Sequence, residues 1–208
     1  FGMLLMTMAT DLLIVFLGIE TMSICLYALV GMSRHKLSSS EGALKYFLLG
    51  AFTTGFFIYG IALIFGCTGS TNLHDIMVYF HTVNTSMPFI AWAGAGLVLI
   101  AFAFKTALVP FHWWSPDAYE GAPTTITAFM STAPKAAAFA AFIRVFYVAF
   151  GDFSAGIGPV LWWLAVLTMT IGNVIALRQD SVKRMLAYSS ITHAGYLLVA
   201  LLTYEELG

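Results

Sequence analysis

Three charged residues stand where charge is costly. Glu20, Lys105 and Lys135 each fall near the middle of an apolar run long enough to form a membrane helix. A charge at the bilayer centre costs about 2.5–3.5 kcal/mol on insertion scales, so such residues face a bundle interior or a water-filled path and take a partner. One glutamate and one lysine, Glu20 with Lys105, would read as a fixed pair locking two helices. The second lysine changes the balance, because one glutamate cannot neutralise two amines. An amine buried without a counter-ion gives up its proton more readily, and a group poised near neutral pH can take up and release protons. Residue type and depth together point to a proton relay.

Two prolines lie beside the lysines: Pro110 follows Lys105 by five residues, and Pro134 directly precedes Lys135. A proline inside a helix removes the donor for the carbonyl four residues back, here Thr106 for Pro110 and Met130 for Pro134. Freed backbone at membrane depth is tolerated where protein or water satisfies it, so both breaks would put hydratable backbone near an amine. An ordinary packing kink is the competing reading for Pro134. Other polar positions carry less. Lys45 lies one turn into its helix, where its ammonium can snorkel to the surface. His112 follows the Pro110 break. His193, within SSITHAGY, reads either as an interhelical hydrogen-bonder or as a proton shuttle. Asp11, Arg144, Asp117 and Glu120 fall at helix ends or in loops and read as structural or solvated. Phe56, Phe57, Trp113, Trp114, Trp162 and Trp163 read as lipid-facing or interfacial aromatics, and Cys25 and Cys67 as inert packing residues.

These residues need helices to position them, and the composition supplies little else. Of 208 residues, 60% are hydrophobic and only 9% charged, against roughly 25% charged in soluble domains. Nine Lys+Arg against ten Asp+Glu exclude the basic surface of a nucleic-acid binder. A helix needs about 20 apolar residues to cross the bilayer. Six segments qualify, at about 11–31, 42–66, 87–111, 124–150, 159–177 and 185–203, with 1–10 as the tail of a preceding span. The continuous runs lack the period-two alternation of a membrane β-barrel. The connections are polar: SRHKLSSSE, a longer stretch from Thr68 to Ser86, HWWSPDAYEGAP, GDFSAGIG and RQDSVKR. Loop arginines and lysines (Arg34, Lys36, Arg178, Lys183, Arg184) fall after odd-numbered spans, which puts those loops on the cytoplasmic side. The chain opens inside an apolar stretch without a signal-peptide pattern and reads as a fragment of a longer polytopic protein. HExxH, GxGxxG and GxxxxGK[ST] are missing, as is any Cys or His set for an iron–sulfur cluster or haem. Whatever drives protons would come from elsewhere.

The same residues carry a resemblance. FKTALVPFHWWSPDAYEGAPTTITAFMSTAPK resembles the central signature of the antiporter-like membrane subunits of respiratory complex I, the NADH-quinone oxidoreductases. LGIETMSICLYALVG, EGALKYFLLGAF and IALRQDSVKRMLAYSSITHAGYLLVAL resemble the same family in the same order, over almost the whole chain. The Leu-Gly-Ile-Glu and Lys-Tyr-Phe-Leu-Leu-Gly pieces favour its subunit N branch, the counterpart of mitochondrial subunit 2. The resemblance implies an all-α polytopic fold: part of fourteen helices built as inverted five-helix repeats, with a broken helix near Pro110. It implies that Glu20 is the channel glutamate, Lys105 the channel lysine and Lys135 the connecting lysine. Lys45, His112 and His193 match polar positions of the family's hydrophilic axis. Pro134 departs from the small or β-branched residue expected there. The second broken helix and terminal lysine of the family lie outside this sequence.

The resemblance further implies a bacterial cytoplasmic-membrane subunit of a proton-translocating NADH:quinone oxidoreductase. No cofactor is expected in this chain; NADH, FMN, iron–sulfur clusters and quinone would belong to partner subunits. The expected partners are neighbouring antiporter-like subunits, the small membrane subunits and the lipid bilayer, with no nucleic acid. A subunit of a multi-subunit cation/proton antiporter is the alternative, since related sequences share the Glu and Lys pattern. A structural scaffold with a fixed Glu20–Lys105 pair is the third reading.

Overall fold

A computed structural model describes residues 1–83, 88–150 and 154–203. Among them the regular elements are helices, with one isolated antiparallel bridge between Asp11 and Asn72. They are α1 (Gly2–Met8), α2 (Leu12–Val30), α3 (Leu37–Thr68), α4 (Leu73–Val83), α5 (Phe89–Thr106), α6 (Trp114–Gly121), α7 (Thr124–Ile143), α8 (Ser154–Ala176) and α9 (Val182–Leu202). A π-helical turn, Arg144–Ala149, continues α7. Among the described residues six helices are long and apolar enough to cross a membrane: α2, α3, α5, α7 with its π turn, α8 and α9. The chain is an all-helical multi-pass membrane protein.

The helices depart from the sequence reading where capping or tertiary packing decides. The second span begins at Leu37, five residues before position 42. Its 32 residues reach ~48 Å at 1.5 Å per residue, well beyond the ~30 Å hydrocarbon core. The surplus turns carry Glu41 and Lys45. The span closes at Gly69, whose φ of 72° places it in the left-handed region, where glycine has no Cβ penalty.

The stretch from Thr68 to Ser86, expected as a polar connection, contains α4. Leu73, Ile76 and Phe80 are all buried, at the i, i+3, i+7 spacing of a helix face. That period is present in the sequence, hidden by the surrounding polar residues. Met87, the expected start of the third span, and residues 151–153 of the expected fourth loop lie outside the described residues.

The third span ends at Thr106, not near Phe111. Ala107 adopts φ 59°, Ala107 N–H donates to Phe104 O at 3.0 Å, and Leu108 N–H donates to Ala103 O at 2.8 Å. This is a Schellman stop with alanine in the position that usually takes glycine. Pro110 therefore lies beyond the helix and does not free the Thr106 carbonyl as a kink would. HWWSPDAYEGAP, expected as a loop, folds in part as α6.

Aromatic placement also differs in part. Trp113, Trp162 and Trp163 are exposed, whereas Phe57 and Trp114 are buried. Trp114 stacks on Tyr46 at 4.1 Å between ring centres and donates its indole N–H to Phe104 O at 2.9 Å. Its polar edge finds a partner at the helix break, as a buried indole requires. Cys25 lies exposed on α2 instead of packed inside, and Cys67 is half-buried; both are free thiols.

Packing around the break depends on close backbone approach. A Cβ on Gly42 of α3 would lie 2.6 Å from the Asp117 carbonyl oxygen on α6. A Cβ on Gly121 of α6 would collide with the Ser38 carbonyl on α3. Small residues let membrane helices approach this closely, and here they dock the second half of the break onto α3. Arg144 donates to Ala9 O at 3.2 Å, closing the end of α1. Asp11 caps α2 by accepting from Leu13 N–H at 2.8 Å and takes the Thr71 hydroxyl at 2.6 Å.

Candidate functional site

The site begins at Glu20 and Lys105. Lys105 is buried, and its Nζ lies 3.8 Å from Glu20 Oε1. The ammonium donates to Ser23 Oγ at 2.7 Å, with Tyr27 OH at 3.4 Å. The Thr54 hydroxyl reaches Glu20 Oε1 at 2.9 Å and the Gly50 carbonyl at 3.0 Å. Helices α2, α3 and α5 thus converge on one amine and one carboxylate, linked by hydroxyls. The helix break matters electrostatically as well as sterically. Lys105 sits in the last turn of α5, where carbonyls carrying partial negative charge favour a cation by about 0.3–1 kcal/mol. An uninterrupted helix would place no terminus at this depth.

Ser23 and Tyr27 follow Glu20 by three and seven residues, so they share its helix face. The sequence reading passed over them although that spacing was visible. Thr54 carried no local signal.

Lys135 forms a second centre. It is buried on α7, and its Nζ donates to Ser190 O and Ser190 Oγ, both at 2.8 Å. The Tyr119 ring lies beneath it, 5.9 Å from Nζ, within cation–π range. No carboxylate pairs with Lys135 among the described residues. Pro134 interrupts α7 from inside, and the Tyr119 hydroxyl donates to the freed Met130 carbonyl at 3.2 Å. A protein hydroxyl thus meets that acceptor.

A cavity of about 410 Å³ opens beside Ser190, lined by Tyr119, Ser131, Lys183, Ser189 and His193 among others. His193 is exposed into it and holds the Ser189 carbonyl through Nδ1 at 2.7 Å. The cavity wall carries hydroxyls and an imidazole that can exchange protons with water.

Lys45 belongs to neither centre. It binds Glu41 at 2.6 Å and Asp117 at 2.8 Å. Arg184 grips Asp117 at 2.7 Å and Glu120 at 2.9 Å. Five charges from α3, α6 and α9 form one half-exposed network at the end where three loops meet. Asp117 and Glu120 are thus ion-paired residues, not merely solvated loop carboxylates, and Lys45 is held by carboxylates instead of snorkelling freely. His112 is buried between α5 and α6, stacked on Trp113 at 5.2 Å and edge-on to Tyr188 at 6.4 Å. The six sequence candidates therefore divide into the Glu20–Lys105 pair, Lys135 on Ser190, His193 in the cavity that Ser190 also lines, the Lys45 network and His112 in the break. Among the described residues no group of three or more His, Cys, Asp or Glu could hold a metal ion.

Comparison with known proteins bears on this arrangement. The family model described as NADH:quinone oxidoreductase/Mrp antiporter, transmembrane, matches residues 9–208. The chain is 56% identical over 198 residues to the NADH-quinone oxidoreductase subunit N of Trichlorobacter lovleyi, covering 95% of this chain and 41% of the relative. In respiratory complex I from Thermus thermophilus, a chain 41% identical superposes with a TM-score of 0.80, covering 96% of this chain and 42% of that one. In the Mrp complex of a Dietzia species, a chain 25% identical gives a TM-score of 0.86, covering 98% of this chain and 38% of that one. The chain spans about two-fifths of the length of the curated relatives it matches.

Proposed function

The chain belongs to the NADH:quinone oxidoreductase/Mrp antiporter membrane family, and from that premise we propose that it is the central part of a proton-translocating subunit of a bacterial NADH-quinone oxidoreductase. The observation that carries the reading is the pair of buried amines with unlike partners: Lys105 beside Glu20, and Lys135 held, among the described residues, by Ser190 and an aromatic face. A carboxylate that approaches or leaves an amine changes which protonation state is favoured. Movement of Glu20 relative to Lys105 would thus load or unload that amine. Lys135 would receive the proton and pass it to the cavity beside Ser190 and His193. Redox chemistry, with NADH, FMN, iron–sulfur clusters and quinone, would lie in partner subunits. Those partners would include neighbouring antiporter-like subunits and the small membrane subunits, in the cytoplasmic membrane.

Moving one charge against 100 mV requires about 2.3 kcal/mol. A two-unit swing in proton affinity corresponds to about 2.7 kcal/mol, so charge displacement at one such pair is of the required size. Lys105→Ala in the intact complex, reconstituted in sealed vesicles, should abolish proton pumping while the complex still assembles. Undiminished pumping at normal electron transfer would falsify the assignment.

The likeness to the Mrp chain favours a second reading, a subunit of a cation/proton antiporter. The identities of 56% and 41% to quinone-oxidoreductase chains, against 25% to the Mrp chain, weigh for the first. Sodium- or potassium-dependent proton flux without an electron donor would reverse that order. Co-purification with iron–sulfur subunits would support it.

A further inference from the structure

We infer that Tyr119 is a positioning residue for Lys135, tying the second half of the broken helix to the turn of α7 that carries the amine. The inference rests on the proton-transfer reading of Lys135 given above.

Pro134 has no N–H, so the Met130 carbonyl loses its usual donor four residues on. Tyr119 on α6 fills that place with its hydroxyl at 3.2 Å. Both residues are buried, where an acceptor without a donor is unfavourable. The same tyrosine presents its ring to Lys135 Nζ at 5.9 Å. Its backbone carbonyl accepts the Thr127 hydroxyl at 2.8 Å, a second tie from α6 to α7. Tyr119 therefore touches the residue after which the α7 ladder is interrupted and the amine one residue beyond that proline. Ser190, which accepts the Lys135 proton donors, lines the same cavity as Tyr119.

On either side of Tyr119 in sequence, α6 is held by charge. Asp117 joins Lys45 and Arg184, and Glu120 joins Arg184. With Asp117 and Tyr119 on one two-turn helix, a shift of α6 must either move the Pro134 turn or break the bond from Tyr119 to Met130. Either event displaces Lys135 relative to Ser190. Tyr119 transmits the position of the ion-paired helix to the amine.

A paired substitution in the intact complex, assembled with the full-length chain, tests this. Tyr119→Phe keeps the ring and removes only the hydroxyl. Pro134→Ala restores an N–H to the Met130 carbonyl, so that acceptor no longer needs the hydroxyl. Tyr119→Phe should lower protons pumped per electron about fivefold, the factor that one ordinary net hydrogen bond supports. In the Pro134→Ala background the same change should have a clearly smaller effect. The per-electron ratio separates this from simple loss of folded complex, which lowers pumping and electron transfer together. Equal losses in both backgrounds overturn the inference, as does no loss in either. Where Tyr119→Phe assembles poorly, assembly restored in the double variant supports the same bond, and a double variant no better than the single overturns it. Lys135→Ala is the control. If it abolishes pumping while Tyr119→Phe does nothing, only this inference fails. If Lys135→Ala pumps normally, the proton-transfer reading and this inference fail together.

Discussion

Lys105 and Lys135 differ in what surrounds them more than in depth. Both are buried, but among the described residues one has a carboxylate at 3.8 Å and the other Ser190 and a ring face. Arginine distinguishes a titrating amine from a fixed charge at either place, because a guanidinium keeps its proton in proteins. Lys105→Arg and Lys135→Arg should each preserve assembly better than alanine yet lose pumping by at least about tenfold, a barrier change of ~1.4 kcal/mol. Pumping retained by both arginine variants, measured in sealed vesicles, would mean that fixed charge suffices. Glu20→Gln should also slow pumping, because it leaves Lys105 without its nearest anion while keeping the Thr54 contact. At this scale the sequence was informative about which charges lie inside the helix bundle. Glu20 and both lysines stood out because charge in an apolar run is expensive. It was silent about Thr54 and Ser190, since a hydroxyl in an apolar helix costs little and leaves no comparable mark.

At the scale of the element, the break between α5 and α6 sets the geometry. It places Lys105 at a helix terminus, Trp114 under Phe104 O and Tyr119 under Lys135. The sequence signalled a break through Pro110, but the helix stops three residues earlier, at a left-handed alanine. Left-handed backbone costs a non-glycine residue roughly 1–2 kcal/mol, so Ala107→Gly should raise the thermal midpoint of the complex by a small, measurable amount. An unchanged or lower midpoint would show that the strain is relieved elsewhere. The α3–α6 seam should be less forgiving. Gly42→Leu drives a side chain into the Asp117 carbonyl, and overpacking of this kind typically costs about 1–3 kcal/mol or more. The amount of assembled complex in membranes should fall, whereas Gly55→Leu, where a Cβ meets nothing within 4 Å, should leave it unchanged. Similar levels for the two variants would refute the seam.

Over the whole molecule, charge and apolar surface are separated. Large apolar side chains such as Leu17, Ile24, Phe52, Tyr59, Trp162 and Trp163 are exposed, as expected of surface that meets hydrocarbon or further helices instead of water. The ion-paired network joins α3, α6 and α9 at one end. The loop basic residues predict that this end faces the cytoplasm. With Cys25 and Cys67 replaced, Arg34→Cys and Arg178→Cys should react with a membrane-impermeant thiol reagent from the cytoplasmic face. His74→Cys should react only from the opposite face. All three positions are exposed. Labelling of Arg34→Cys and His74→Cys from the same face would contradict a single crossing by α3.

Composition alone determined that this chain lives in a bilayer, because 9% charged residues cannot cover a soluble surface. The six apolar runs fixed how many described helices can cross, since each satisfies its own backbone hydrogen bonds locally. The buried charges were legible for the same reason: their cost is a property of residue type and depth. Partners were not. The bond from Lys45 to Asp117 joins residues 72 apart, that from Lys105 to Ser23 residues 82 apart, and that from Lys135 to Ser190 residues 55 apart. Helix-to-helix rotation and register select such contacts, and apolar periodicity constrains these weakly when every face of a helix can meet lipid or protein. Only the tertiary structure decided that Glu20 faces Lys105, that Tyr119 replaces the donor Pro134 lacks, and that α6 is gripped from both α3 and α9.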